Sequence, residues 1–381
     1  MCLASCYDWW LRLLVAVDAR PDDAALSRRT FFATAALPLL AAGCAATGPT
    51  PTPAAQALLD AAVSVDLHAH PGLFSTLASD TLAGHRRHAE AGRLKIMTLT
   101  AVADGPLLRR TPVGGLRATR EPRPGELFAA TWRQLDTLTS ESGAAGIPAV
   151  LRPEDMTAPA GGAVRGLLAV EGCDFLEGRG ERIQLAYDRG VRSLQLVHYR
   201  VNELGDIQTE ATVHGGLTPF GREAVREMNR LGIVVDVAHA TFDVVKGVAE
   251  TTTRPIVLSH SNIQDGSGWV RFITREHARL VAGTGGIVGA MPIILRRRGD
   301  DIGGYVDHVS RLVDAVGVDH VGLGTDMDGI GPGAIFTDYA RWPSLTTALL
   351  DRGYRAEDVG KILGGNFQRV FQRATAGAAS R

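Results

Sequence analysis

From Val63 onward the chain alternates short apolar, β-branched runs with stretches in which apolar residues recur at helical spacing. The runs cover residues 63–66, 95–100, 164–170, 192–197, 233–237, 255–258, 286–290 and 320–324. Such a rhythm predicts repeated βα units around a parallel sheet. The helix signals between runs are chemical as well as periodic. In Thr218-Pro219-Phe220-Gly221, Thr218 can cap a helix and Pro219 fits its first turn, and Gly232 ends the pattern after Leu231. Eight strands over roughly 310 residues fit a (β/α)8 TIM barrel, whose usual size is about 250 residues with room for loops. A doubly wound open sheet is the rival.

The polar residues that interrupt the pattern favour the barrel. His68, His70, Glu171, His198, His239, His260 and Asp326 each end or directly follow an apolar run. In a barrel all those C-terminal ends meet on the one face where active sites are built.

Charge narrows the partner. With 40 basic against 41 acidic residues the net charge is −1, so no positive field exists to hold nucleic acid. A small neutral or zwitterionic molecule fits better. Of the four cysteines, Cys2, Cys6 and Cys44 precede the βα pattern, leaving Cys173, which reads as a buried inert thiol with a thiolate ligand as the alternative, and no disulfide framework.

The first 53 residues read as an export signal and linker. Ser27-Arg28-Arg29-Thr30-Phe31-Phe32 precedes an uncharged stretch and then Gly43-Cys44, the layout of a twin-arginine signal. The apolar stretch is short for a membrane span. Leu40-Ala41-Ala42-Gly43-Cys44 is similar to a lipoprotein cleavage box, so Cys44 is the expected site of lipidation and membrane attachment, with an ordinary cleaved signal as the alternative. The protein is then expected to be exported and periplasmic or membrane-anchored in a bacterium. Residues 1–26 read as an early start. A linker runs from Gly48 to Pro53, and the domain, residues 54–381, begins near Ala54.

Val65-Asp66-Leu67-His68-Ala69-His70 puts two imidazoles at i and i+2 on an extended chain, pointing to the same side and able to share a metal. Glu171, His239 and His260 add three donors at other strand ends. Five such groups at one apolar-walled mouth repel or lose solvation unless a cation compensates them. The donor set suits zinc, with manganese, cobalt or iron as alternatives, and Glu171 is the natural bridge between two ions. Asp326, at the tip of the last strand, could take a proton from activated water and return it to a leaving amine. Asp328 is expected to point away from the site or to brace the loop. His85 and His88 are expected on an exposed helix or loop and His214 on the surface, while His277, His308 and His320 receive no role.

With these residues in place the chain resembles the membrane (renal) dipeptidase family, zinc peptidases of the amidohydrolase superfamily. The resemblance rests on Gly216-Leu217-Thr218-Pro219-Phe220-Gly221-Arg222-Glu223, on Met228 to His239, on Arg254 to Ser261, on His320 to Gly329 and on Gly365 to Phe371. It is strong from about Gly166 to Phe371 and thin between Pro71 and Gly162. It implies a TIM barrel with two zinc ions bridged by Glu171, the second completed by His239 and His260. It further implies that Asp326 is catalytic, that His198 stabilises the developing oxyanion, and that Arg271, eleven residues after His260, binds the substrate carboxylate. As a residue on a glycine-containing loop, Arg271 has a solvated surface charge as its alternative. One departure stands out: the family usually reads His-x-Asp where this chain has His68-Ala69-His70, which raises the site's net charge by one unit. The expected function is metal-dependent hydrolysis of dipeptides, including those with a D-residue on the C-terminal side. Opening of a lactone or β-lactam, or hydrolysis of another amide, is the second enzymatic reading, and a non-catalytic exported binding lipoprotein is the alternative of a different class. A homodimer is left open.

Overall fold

A computed structural model describes residues 48–73, 81–111, 115–157, 163–293, 302–330 and 334–377. The twin-arginine motif, the apolar stretch and Cys44 lie outside the described residues. Thr52, from the expected linker, caps the first described helix, Pro53–Ala61, by accepting from Ala55 N, with Pro53 in its first turn. No helix among the described residues is long and apolar enough to cross a membrane.

Eight parallel strands form one sheet: β1 (Val65–Asp66), β2 (Ile96–Val102), β5 (Arg165–Glu171), β6 (Ser193–Gln195), β7 (Val234–Asp236), β8 (Val257–Ser261), β9 (Ile287–Ala290) and β10 (Val321–Leu323). Neighbours in sequence are neighbours in space, as short right-handed βα crossovers require. The last strand returns to the first. Leu67 N donates to Leu323 O, Asp326 N to His68 O and His70 N to Met327 O at 2.8–2.9 Å, and Ala69 bridges Met327 in parallel. These bonds bring the two edges together as a TIM barrel and lie directly beneath His68, His70 and Asp326. All eight expected strands are present. Their ends shift, however, so that Glu171 and His260 fall inside β5 and β8 rather than after them.

The helices between strands are fixed by a repeated device. Thr52, Thr81, Thr218, Thr241 and Thr274 each cap a helix with the side-chain oxygen, satisfying a backbone N–H that the helix cannot. The helix Pro219–Leu231 starts at Pro219 and stops at Gly232, whose φ of 75° lies in the left-handed region, as its sequence predicts.

Inside the barrel the first residues of the strands, Val65, Ile96, Val234, Val257 and Ile287, form one buried cluster with Phe367, Val370 and Phe371 of the C-terminal helix Asn366–Thr375. That helix fills the N-terminal end of the barrel and leaves the C-terminal end for polar chemistry.

A two-stranded antiparallel hairpin, β3 (Leu108–Arg110) and β4 (Leu116–Ala118), was not expected. Register pairs Leu108 with Ala118, Arg109 with Arg117 and Arg110 with Leu116. Directly opposed residues share a face, so Leu108, Arg110 and Leu116 lie on one side, and Arg109 and Arg117 on the other.

Candidate metal centre

β1 delivers His68 and His70 together, their Nε2 atoms 3.1 Å apart. His70 Nδ1 bonds to Thr100 O at 3.0 Å, which places its proton there and turns the Nε2 lone pair toward the other donors. Glu171, at the end of β5, stands in the middle of the cluster. Its Oε1 lies 3.4 Å from His68 Nε2, 3.2 Å from His239 Nε2 and 3.7 Å from His260 Nε2. Its Oε2 lies 3.3 Å from both His70 Nε2 and His198 Nε2. His239 and His260 approach each other at 3.1 Å.

The donor atoms therefore form overlapping metal-sized groups: His68, His70 and Asp326; His68, Glu171 and His260; Glu171, His198 and His239. Lone pairs converging this closely in a buried mouth are what a bound cation would relieve, so the residues fit a metal. Protonation agrees for three of them. Burial alone would raise the Glu171 pKa, but the charges of His198 and His68 and the hydrogen bond from His239 outweigh it and hold the carboxyl ionised well below its usual range. Burial pushes His239 and His260 well below the usual imidazole value, helped by Arg271 at the first and by His68 at the second. His70 goes the other way: against burial, its hydrogen bonds to Asp326 and Glu171 push it up to about 10, the response of a cation-seeking pocket that takes up a proton where no metal is bound.

Two site residues sit in strained backbone. His239 has φ 66° and Asp326 φ 48°, both left-handed, a conformation that costs a non-glycine residue about 1–3 kcal/mol and persists where the surroundings enforce it. Asp326 Oδ1 lies 3.4 Å from His70 Nε2. Gly329 makes room for it, since a Cβ there would fall 2.0 Å from Asp326 Oδ1 and 2.8 Å from His70 Cδ2.

His198 is the most doubly engaged of the expected residues. Its Nδ1 bonds to Asp104 Oδ1 at 2.7 Å while Nε2 faces Glu171, so the geometry alone suits either a donor to substrate or a further metal ligand. Arg271 is not a solvated surface charge. It is 3% exposed, with Nη2 3.2 Å from His260 Nε2 and Nη1 donating to Gln208 Oε1.

Other expectations need correction. His85 is not on an exposed surface: it is buried on the helix Leu82–Ala91, its Nε2 2.9 Å from Asp328 Oδ2, because that helix packs toward the barrel mouth. His88, on the same helix, is half exposed beside Asp338. Asp328 lines the same cavity as Asp326 and also accepts from Gly72 N. His214 is exposed, as expected, and Cys173 is buried.

Three carboxylates in the strand ends escaped the sequence reading. Asp66 accepts from Thr325 N at 2.8 Å, Tyr339 OH at 2.8 Å and His68 N at 3.3 Å. Asp236 Oδ1 accepts from Ala238 N and Ser259 N at 3.0 Å. Asp104 holds His198. The first two stand two and three residues ahead of a histidine at the end of an apolar strand, a signal available in the sequence.

Glu171, His70, His198, His239, Arg271 and Asp326 all open onto one cavity of about 620 Å³. Apolar residues also line it, among them Leu108 and Leu116 of the hairpin and Trp269, Met291 and Ile293. Arg110 joins them from the same hairpin face.

Known proteins are similar to this chain. Residues 128–381 match the profile of the membrane dipeptidase family, peptidase family M19. The chain is 33% identical over 223 residues to dipeptidase tcpJ of Claviceps purpurea, covering 56% of this chain and 52% of that protein. It is 31% identical over 218 residues to dipeptidase aclJ of Aspergillus oryzae, covering 55% and 51%. The chain thus spans about half the length of these curated relatives. The fold matches the probable dipeptidase PvdM from Pseudomonas aeruginosa with a TM-score of 0.72 at 20% identity, covering 84% of this chain and 97% of that one. It also matches a metallo peptidase from Rhodobacter sphaeroides liganded with a phosphinate mimic of the dipeptide L-Ala-D-Ala, with a TM-score of 0.70 at 21% identity, covering 82% and 99%. With two thirds of its length inside the family profile, and that profile spanning Glu171, His239, His260 and Asp326, the chain belongs to the membrane dipeptidase family.

Proposed function

We propose that this protein is a metal-dependent dipeptidase that binds two zinc ions. The observation that carries the reading is Glu171, whose carboxylate stands between the His68–His70 pair and the His239–His260 pair, within 3.7 Å of an Nε2 of all four. His68, His70 and Glu171 would hold one ion, and Glu171, His239 and His260 the other. Bound there, such ions supply Lewis acidity that makes water more acidic and polarises an amide carbonyl.

The chain's own groups do the rest. Arg271 binds the substrate's free carboxylate through its planar fork, which sets the register of the dipeptide in the cavity. Asp326 takes the proton of the attacking water as the new C–O bond forms. It then gives that proton to the amine nitrogen as the C–N bond breaks, so each turnover returns the carboxylate to its starting state. Against burial, the charges of Asp104 and Glu171 raise the His198 pKa, so the ring carries a proton on both nitrogens and donates from Nε2 to the carbonyl oxygen as negative charge develops on it. The cavity, about 620 Å³, is of a size for a small peptide and its apolar walls exclude water around the side chains. We extend the substrate range to dipeptides with a D-residue on the C-terminal side; the Rhodobacter sphaeroides protein binds a mimic of such a compound. Export by the twin-arginine route, with lipid on Cys44, is part of the same proposal.

The test is a panel of dipeptides with L- or D-residues at the C-terminal side, run beside lactone and β-lactam compounds, on protein whose metal content is measured. Turnover of dipeptides that is lost on chelation and regained with zinc is expected. Metal-replete protein that turns over none of the dipeptides overturns the reading.

A further inference from the structure

Asp104 stands outside the metal-sized donor groups, and it lies ahead of the residues that match the family profile. It stands two residues beyond the end of β2, in Ala101-Val102-Ala103-Asp104, and is fully buried. A carboxylate withdrawn from water to that degree needs compensating partners. Both of its oxygens find them in two consecutive residues. Oδ1 lies 2.7 Å from His198 Nδ1, and Oδ2 accepts from Tyr199 N at 3.0 Å. One carboxylate thus clamps the ring of one residue and the backbone of the next.

The clamped ring has further neighbours. A Cβ on Gly172 would lie 3.3 Å from His198 Cβ, so glycine there lets the backbones approach, and Tyr199 packs edge-on against His198 with ring centroids 4.5 Å apart. A second buried carboxylate, Asp174, fixes the following turn through Arg200 and Asn202, each at 3.1 Å. With Nδ1 held by Asp104, the remaining nitrogen, Nε2, lies 3.3 Å from Glu171 Oε2 at the cavity wall.

We infer that Asp104 is a positioning residue for the hydrolysis: by fixing the Nδ1–H of His198 and the backbone of Tyr199, it aims His198 Nε2 at the substrate's carbonyl oxygen. It touches neither substrate nor metal ligand. Its effect therefore falls on turnover rather than on binding. The inference rests on the dipeptidase reading for its kinetic consequence and on the geometry alone for the pairing.

The experiment separates the two. Proton NMR of the protein without metal should show an imidazole N–H resonance downfield of the amide envelope that vanishes in both Asp104→Asn and His198→Gln. Its absence from the unsubstituted protein overturns the pairing, whatever the substrate proves to be. Kinetics then test the role in a double-mutant cycle. Asp104→Asn should lower kcat about 10- to 100-fold with KM little changed and metal content intact, the scale on which partners behind a catalytic group act. In the His198→Gln background the same change should cost almost nothing further, because the ring it aims is gone. An equal loss in both backgrounds, or a loss that tracks metal content or thermal stability, shows a merely structural role and overturns the proposal. Should the Asn variant fail to fold, the resonance in the unsubstituted protein and its loss in His198→Gln still decide the pairing. Absence of any dipeptide turnover by the unsubstituted enzyme counts against the function and leaves the NMR outcome to stand by itself.

Discussion

His70 Nε2 lies 3.3 Å from Glu171 Oε2 while its other ring nitrogen bonds to Thr100 O, so the lone pair that faces the carboxylate is the one a metal would take. This proposed ligand is also the position at which the chain departs from the pattern that its sequence resemblance implies. His70→Ala should lower the metal content by about one ion per chain, and Glu171→Gln should empty both positions, because it removes the negative charge and one of the two oxygens that stand between the histidine pairs. Loss of a ligand should cost at least the ~10- to 100-fold seen for groups behind the ligands. Elemental analysis beside the dipeptide assay reads both. Full metal content in His70→Ala would remove His70 from the centre.

Arg271 is buried with its fork turned toward His260 and Gln208, a position that a flexible lysine cannot reproduce. Arg271→Lys should raise KM about 10- to 100-fold with a smaller change in kcat, corresponding to the ~1.5–3 kcal/mol of hydrogen bonds to a charged group. For the unsubstituted enzyme, a dipeptide amide should show the same penalty. If the amide is cleaved as well as the free acid, Arg271 does not read the carboxylate.

Glycine is the one residue type that fits at position 329 beside Asp326, since a Cβ on Gly329 would approach Asp326 Oδ1 to 2.0 Å. Gly329→Ala should displace that carboxylate and reduce kcat by about 10²-fold, the scale of an ångström of misplacement, with metal content retained. A kinetic comparison at saturating dipeptide tests this, and unchanged kcat would show that Asp326 tolerates movement.

His277 lies on the helix Arg275–Gly283, away from the metal ligands, and is 4% exposed with no hydrogen-bond partner for Nε2. Burial, reinforced by Arg271, lowers its pKa to about 4 from the usual 6.5. The unfolded chain therefore binds the proton first as pH falls. Stability from this group is present above pH 6.5 and is lost progressively as pH drops toward 4, by at most about 3 kcal/mol. Denaturant unfolding at about pH 7 and about pH 4.5, either side of the imidazole range, should show a smaller acid loss in His277→Gln than in the unsubstituted protein. Equal losses would assign the acid sensitivity to other groups.

The strands and most of the metal cluster were legible because two simple regularities coincide. Buried parallel strands read as short apolar runs, and a barrel gathers every strand's C-terminal end on one face. Residues as far apart in sequence as His68, Glu171, His239, His260 and Asp326 could thus be placed together from their positions alone. The hairpin Leu108–Ala118 left no comparable trace, since each strand has three residues and one of its faces carries Arg109 and Arg117 outward.

What the sequence by itself determined is the order of elements and which chemistry-bearing side chains share the barrel mouth, because both follow from local periodicity and one topological rule. Tertiary structure alone decided the surroundings that tune them. It buried His85 against Asp328 and Arg271 against His260, and it set Asp104, ninety-four residues away in the chain, on His198. Such pairings depend on loop paths and helix packing between distant segments, and those are fixed only when the whole barrel closes.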